Sequence, residues 1–187
     1  MQGTCWWCGA VADSSEHRHK QTDLRRLWAN GEGPVWSADG GSRTEFIRGP
    51  NSRSRAVRFG KVLCQRCNNA RSQPFDLAYD KFSAHLVAHM DEWWKAPGVD
   101  LQALYGADWQ QQSVHLAQYY VKNFGCQMAD QGIRPPASMS KFLDGTSELE
   151  DISLCLVKSE SHYVGHRRYL RKLGENASLW RPADLSW

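Results

Sequence analysis

Four cysteines arranged as two C-x-x-C pairs constrain the fold of this chain more than any other feature. Cys5 and Cys8 form the first pair, and Cys64 and Cys67 form the second. Each C-x-x-C turn presents two sulfur atoms to one metal ion, so two such turns supply the four thiolates of a closed tetrahedral zinc site. The 55 residues between the pairs exceed the roughly 15–20 of a simple zinc ribbon, which predicts a folded insertion between the pairs.

Disulfides and redox-active thiols are the alternatives to a zinc site at these cysteines. Disulfides are disfavoured because the N-terminus has no secretory signal layout, and we expect a cytoplasmic protein. No apolar stretch approaches the roughly 18 residues that a membrane-spanning helix needs, so no membrane partner is expected. Cys126 and Cys155 lie in apolar surroundings and are predicted to be small buried hydrophobic residues. The chain stops at Trp187 without an evident terminating signal, as expected of a fragment.

The net charge of +3 conceals an asymmetry along the 187 residues. Residues 1–72 carry 12 Lys and Arg against 6 Asp and Glu, whereas residues 73–187 carry 11 against 14. The basic part contains a Gly- and Ser-rich segment, around residues 43–71, that suits the phosphate backbone of a nucleic acid. A solvated surface loop is the alternative when that segment is considered alone. The acidic part suggests a protein partner, a second copy of the chain or an autoinhibitory contact with the basic part.

Hydrophobic periodicity, interrupted by Gly and Pro, predicts an α+β fold. The predicted helices cover residues 22–28, 74–94, 101–105 and 109–128, and the predicted strands cover residues 44–47, 56–63 and 152–157. We place a domain boundary at residue 95. Residues 1–95 then form a zinc-knuckle domain, and residues 96–187 form an α-rich accessory or target-recognition module. Phe75, Tyr79 and Phe82 recur at helical spacing and are predicted to be core rather than a base-stacking surface.

A characteristic order of elements surrounds the two cysteine pairs. The C-x-x-C-G knuckle is followed by a short strand ending in Glu16-His17, a long basic loop, another strand, and Cys64-x-x-Cys67-Asn68-Asn69 opening a helix. This order, over residues 5–80, resembles the HNH endonuclease family. The resemblance implies a zinc-supported ββα-metal core and a metal-dependent endonuclease, with DNA as the substrate and RNA as an alternative. It also implies a structural Zn²⁺ and a separate catalytic divalent ion such as Mg²⁺.

Within this resemblance, His17, Glu16 and Asn68 are the predicted catalytic residues. Hydrolysis of a phosphodiester requires a water molecule to lose a proton and the leaving oxygen to be neutralised. His17 is the predicted general base, because a neutral imidazole accepts a proton near neutral pH. Glu16 and Asn68 offer oxygen ligands to a Mg²⁺-like ion. The zinc site would hold the strands against the helix so that these distant residues meet.

One segment departs from the family pattern, and for two of the predicted site residues the sequence offers an alternative residue. The family carries an Asn shortly before the second knuckle, but residues 58–63 contain none, and Asn51 is the nearest substitute. His19 competes with His17 as the base, and Asn69 competes with Asn68 as the ligand. Phosphate contacts are predicted for Arg18, Lys20, Arg53, Arg55, Arg58 and Arg71.

Two other classes of function are alternatives to the nuclease. The first is a zinc-ribbon nucleic-acid-binding protein without catalysis, which the missing middle Asn favours and the adjacent Glu16-His17 pair opposes. The second is a structural or protein-interaction module stabilised by zinc, which the many Arg residues oppose. Nucleases of the resembling family serve mobile elements, phages and antiviral defence, and the sequence does not distinguish these settings.

Overall fold

Short strands and longer helices alternate along the part of the chain that the structure, a computed structural model, describes: residues 3–28, 35–38, 43–46, 49, 53–146, 148–149, 152–160 and 163–164. In chain order the elements are β1 (Ser14–His17), α1 (Gln21–Trp28), β2 (Val35–Ala38), β3 (Arg43–Phe46), β4 (Arg58–Leu63), a π-helical turn (Cys67–Arg71), α2 (Gln73–Ala88), α3 (Met90–Lys95), α4 (Leu101–Tyr105), a 3-10 turn (Gly106–Asp108), α5 (Trp109–Asp130) and α6 (Ala137–Leu143). The predicted α+β class is confirmed.

One compact unit comprises Met1–Arg18 and Phe59–Cys155. Its two-stranded sheet pairs β1 with β4, and the π-helical turn and α2 follow β4 directly. The long helices α2 and α5 pack side by side, with the rings of Tyr79 and Tyr119 stacked at 4.0 Å. Phe75 and Phe82 are buried, which confirms the predicted core stripe on α2.

The predicted helix over residues 74–94 is interrupted once. His89 adopts φ −121° and ψ 29°, outside the helical region, so that α2 ends at Ala88 and α3 begins at Met90. At the other end, Pro74 occupies the first turn of α2, where its missing N–H has no helical partner to lose. The chain starts to coil just after Cys64, passes through the π-helical turn at Cys67–Arg71 and continues as a regular helix from Gln73.

A second compact unit comprises His19–Arg58 and Leu156–Trp187. It contains α1, whose Leu24 is fully buried, and the antiparallel hairpin of β2 and β3. The hairpin register pairs Val35 with Phe46 and Ala38 with Arg43. The strand predicted over residues 44–47 is thus present one residue earlier, at Arg43–Phe46.

The strand predicted over residues 152–157 is wrong. No regular structure forms there, and Leu154, Leu156 and Val157 are exposed, with Val157 at 76%. Apolar composition alone does not make a strand, because a strand also needs a neighbour for its backbone groups. Cys155 in this run is exposed, which corrects its assignment as a buried residue, whereas Cys126 is fully buried as predicted.

The unit that contains the cysteine pairs extends beyond residue 95. Both α5 and α6 belong to it, and the Trp7 indole N–H donates to the carboxylate of Asp144, just after α6, at 2.8 Å. The division into domains at residue 95 stays a prediction, but this packing joins the two sides of it. Among the described residues, no helix combines the length and apolar character that crossing a membrane requires.

Candidate metal centre and polar site

The first cysteine pair lies in a tight β-like turn. Thr4 and Val11 form an antiparallel bridge, and inside it the Cys5 N–H donates to the Ala10 carbonyl at 2.6 Å. Gly9 closes the turn at φ +76°, a conformation that glycine adopts without the steric cost of a side chain. The glycine that follows the first C-x-x-C pair is therefore explained by the backbone conformation of this turn.

The second pair begins where β4 ends. The Cys67 N–H donates to the Cys64 sulfur at 3.4 Å, and the Asn68 N–H donates to the Cys64 carbonyl at 3.0 Å. The Trp6 N–H donates to the Val62 carbonyl at 3.1 Å and so connects the first turn to β4. This backbone contact brings together two cysteine pairs that are 55 residues apart in the sequence.

The four sulfur atoms form a cluster in which all lie within 4.8 Å of one another. The Sγ atoms of Cys8 and Cys64 are 3.6 Å apart, close to the ~3.8 Å that separates two sulfurs in a tetrahedral site with Zn–S bonds of about 2.3 Å. Cys5, Cys64 and Cys67 are buried and Cys8 is exposed. Four protein thiols could thus hold a metal such as zinc, and they leave no position for a substrate.

The thiols differ in acidity even before the effect of a metal ion is counted. Burial alone raises the pKa of Cys64, but the Cys67 N–H and the neighbouring thiols outweigh it and lower this pKa to about 7. Burial is the largest cause that raises the pKa of Cys5 and of Cys67. A metal that binds here must displace protons from the latter two, so metal affinity is expected to rise with pH.

Arg71 contacts the four-sulfur cluster, and Asp144 in turn contacts Arg71. The Arg71 guanidinium donates to the Cys67 sulfur at 3.4 Å, stands 4.3 Å from the ring centre of Trp7 and forms an ion pair with Asp144. Four thiolates around a Zn²⁺ ion leave a net negative charge, which a neighbouring guanidinium stabilises. Arg71, predicted as a phosphate contact, is therefore also a neighbour of the metal centre.

We expect Arg71→Met to weaken zinc binding about tenfold, because partners that hydrogen-bond to metal ligands typically contribute 10- to 100-fold in affinity. Competition with a chromophoric chelator measures the change. Arg66→Met is the matched control, since Arg66 is exposed and precedes Cys67 directly. Equal zinc affinity in the wild type and Arg71→Met would show that the guanidinium does not support the metal centre.

Trp6 links the cluster to α5. Its indole N–H donates to the buried Cys126 sulfur at 3.4 Å. A Cβ atom at Gly125 would stand 2.4 Å from the Trp6 ring, so only glycine at this position lets the indole lie against the helix. Burial raises the pKa of Cys126 to about 12, and this thiol stays protonated and hydrophobic at neutral pH.

The predicted catalytic residues lie in the same unit. The Asn68 side-chain amide donates to the Ser14 hydroxyl at 2.8 Å and points to the Ser15 carbonyl at 3.5 Å, so the start of the helical segment contacts β1. The Asn68 Oδ1 atom is buried and has no hydrogen-bond partner among the described residues. Asn68 is thus held beside the strand that ends in Glu16-His17, and its competitor Asn69 is exposed.

Glu16 is the most buried residue of β1, and the Nε2 atom of the His17 imidazole is buried as well. Glu16 is 8% exposed, whereas the other three residues of β1 are half-buried. The Glu16 carboxylate lies 3.5 Å from the ammonium of Lys122, a fully buried residue on α5 that also contacts Asp76 at 3.2 Å. The Lys122 ammonium therefore already balances the charge of Glu16. The role of Glu16 as a Mg²⁺ ligand stays a prediction.

The predicted phosphate contacts fall into both units. Arg18 is held inside the first unit by Asp130 at 2.5 Å and Gln127 at 2.7 Å, and its guanidinium lies 4.4 Å from the ring centre of Phe59. The others besides Arg71 are in the second unit, where Arg53 and Arg55 are exposed and Lys20 and Arg58 are half-buried. His19, the competing base, also belongs to the second unit, and Asn51 lies outside the described residues.

Sequence reasoning did not identify Lys122, Asp76 or Asn123 as neighbours of the candidate site. Lys122 interrupts the run Tyr119, Tyr120, Val121 and Phe124, and a lone cation among apolar residues is the one signal that could have indicated a buried ion pair. Asp76 lies in the first turn of α2, where a carboxylate is ordinary. No local pattern marks Asn123.

Comparison with models of protein families, with curated proteins and with solved structures finds nothing that matches this chain. The residues and contacts of the chain itself therefore carry the functional argument.

Proposed function

We propose that this chain is a metal-dependent endonuclease of the HNH type that hydrolyses phosphodiester bonds in DNA. The observation that carries the proposal is the contact between Asn68 and β1, which sets a buried amide oxygen beside the strand that ends in Glu16-His17. The order of a paired β1 and β4 followed by a helical segment supports a ββα-metal core. The adjacent four-cysteine cluster supports a structural zinc within that core.

Each residue of the site has a distinct chemical part in the proposal. The His17 imidazole removes the proton from the attacking water, and a divalent ion such as Mg²⁺, when bound, stabilises charge on the phosphate and the leaving oxygen. The Asn68 Oδ1 atom would hold that ion, because oxygen atoms are what Mg²⁺ prefers and this one has no other partner among the described residues. Glu16 is proposed as a second oxygen ligand, and its negative charge is shared with Lys122.

The test is cleavage of supercoiled plasmid by the full chain with Mg²⁺, Mn²⁺ or EDTA. We expect His17→Ala to lower the cleavage rate about 10²- to 10⁴-fold, the usual range for loss of a general base. Asn68→Ala is expected to require a higher concentration of divalent ion, because one of its oxygen ligands is removed. His19→Ala is the matched control and should cleave at nearly the wild-type rate.

Bound zinc and thermal stability are measured for every variant in the same series. A His17→Ala protein that is folded, zinc-loaded and still active would rule out His17 as the base. Loss of activity in His19→Ala instead would assign that role to His19. Cleavage that EDTA does not affect would contradict the metal-dependent mechanism.

A zinc-ribbon nucleic-acid-binding protein without catalysis is the second candidate. The ion pair between Glu16 and the buried Lys122 favours it, because it gives the carboxylate a structural reason that needs no catalytic metal. The exposed Arg53 and Arg55 suit binding to a phosphate backbone in either case. A wild-type protein that shifts DNA or RNA in a gel at low salt but never cleaves it would establish this second function.

A further inference from the structure

Polar side chains of α5 contact the end of β1 and the strand beside it. The residues concerned are Asn123, Gln127 and Asp130, whose spacing of three, four or seven residues places them along one side of the helix, together with Lys122, which directly precedes Asn123. They belong to the half of the chain in which no sequence motif announces chemistry. Their partners lie between residues 16 and 60 in the sequence, apart from Asp76, which also contacts Lys122.

Asn123 holds the main chain at the position of the proposed base. Its side-chain amide points to the carbonyl oxygens of His17 and Arg18, at 3.3 and 3.4 Å, across a sequence separation of 106 and 105 residues. Both carbonyls lie where β1 ends. A donor at this point restrains the backbone that carries the imidazole without touching the imidazole itself.

Lys122, the preceding residue, holds the side chain of Glu16. Its ammonium is fully buried between Glu16 on β1 and Asp76 on α2 and lies 5.6 Å from the ring centre of Tyr119. Burial alone lowers the pKa of Lys122, but the charges of Glu16 and Asp76 outweigh burial and raise it. Lys122 therefore stays charged at neutral pH, and its ammonium holds the Glu16 carboxylate in an ion pair.

Asp130 completes the contact two turns further along α5. One of its carboxylate oxygens accepts from the Arg18 guanidinium at 2.5 Å, and the other accepts from the Gly60 N–H of β4 at 2.8 Å. The helix thus contacts both strands of the sheet. A displacement of α5 would move β1 and β4 together.

We propose that α5 is the positioning element of the nuclease site, with Asn123 as the positioning residue for His17 and Lys122 as the positioning residue for Glu16. The inference rests on the proposed function and goes beyond it, because it makes the α-rich half of the chain a part of the catalytic apparatus rather than a separate module. Catalysis is sensitive to such placement, since a misplacement of about 1 Å can lower a rate 100-fold.

Asn123→Asp is the sharpest test, because it keeps the size of the side chain and replaces only the donating amide. We expect its kcat for plasmid cleavage to fall at least tenfold, with an unchanged KM for DNA, unchanged zinc content and a similar Tm. Asn123→Ala should behave alike, and Asn123→Gln, which keeps the donor, should recover part of the rate. Gln111→Ala, an exposed amide on the same helix, is the matched control.

Hydrogen–deuterium exchange gives a second readout that does not need activity. Peptides covering residues 14–18 should exchange several-fold faster in Asn123→Asp than in the wild type, and those covering α2 should not change. Equal kcat and equal exchange in the two proteins would overturn the inference while leaving the nuclease intact. If the wild type does not cleave DNA, the proposed function and the catalytic part of this inference are both overturned. The exchange rates would then show only whether Asn123 restrains the end of β1.

Discussion

Cys67→Ser is expected to lose the metal and most of the folded structure of the first unit. Cys67 is fully buried in the four-sulfur cluster, and the serine hydroxyl is a poor substitute for a thiolate ligand. Structural Zn²⁺ in small zinc domains binds with an apparent free energy on the order of 10–16 kcal/mol. The free energy of unfolding of a protein is usually about 5–15 kcal/mol. Loss of the zinc-binding free energy should therefore leave the variant largely unfolded.

Zinc content and the fluorescence of the nine tryptophans measure this outcome. Trp6 and Trp7 lie within the first cysteine pair, so their emission should shift to the red as water reaches them. Cys155→Ser is the matched control, because Cys155 is exposed and outside the cluster. Treatment of the wild type with a strong chelator should reproduce the Cys67→Ser spectrum. A Cys67→Ser protein with the wild-type Tm would show that the cluster is not a structural metal site.

Lys122→Met is expected to lower the free energy of unfolding by about 3–5 kcal/mol, the usual cost of removing one partner of a buried ion pair. The substitution leaves Glu16 and Asp76 facing each other without the cation between them. Urea denaturation at pH 7 measures the loss. Lys141→Met, on an exposed position of α6, is the matched control and should change stability little.

The pH dependence of this loss identifies its cause. The charges of Glu16 and Asp76 raise the pKa of Lys122 above its ordinary value of 10.5, against the opposite effect of burial. The stabilisation is therefore complete below about pH 10.5 and is lost only as the pH rises through the higher folded-state value. The difference between wild type and Lys122→Met should stay constant from pH 7 to pH 9.

A triple variant separates the ion pair from packing. Adding Glu16→Gln and Asp76→Asn to Lys122→Met removes the two carboxylate charges, and we expect more than half of the lost stability to return. If the triple variant is as unstable as Lys122→Met, the lysine contributes through packing and not through charge.

The cysteine spacing and the hydrophobic periodicity determined much of this protein without reference to its tertiary structure. The C-x-x-C turns, the strand ending at His17 and the helix over Trp109–Asp130 depend on residues that are neighbours in the chain, so a local pattern suffices to predict them. The assembly of the four sulfurs agrees with the expectation from the C-x-x-C spacing, because one zinc ion can take four thiolates whatever their distance in sequence.

Only the tertiary structure decided what surrounds the candidate site. Lys122 and Asn123 contact Glu16 and the His17 carbonyl across more than 100 residues, and no spacing rule connects them. The apolar run at 152–157 shows the same limit, since its composition favours a strand but no strand pairs with it among the described residues. Local patterns record the conformations that a segment prefers, whereas the pairing of buried charges and backbone donors depends on which surfaces meet when the chain folds.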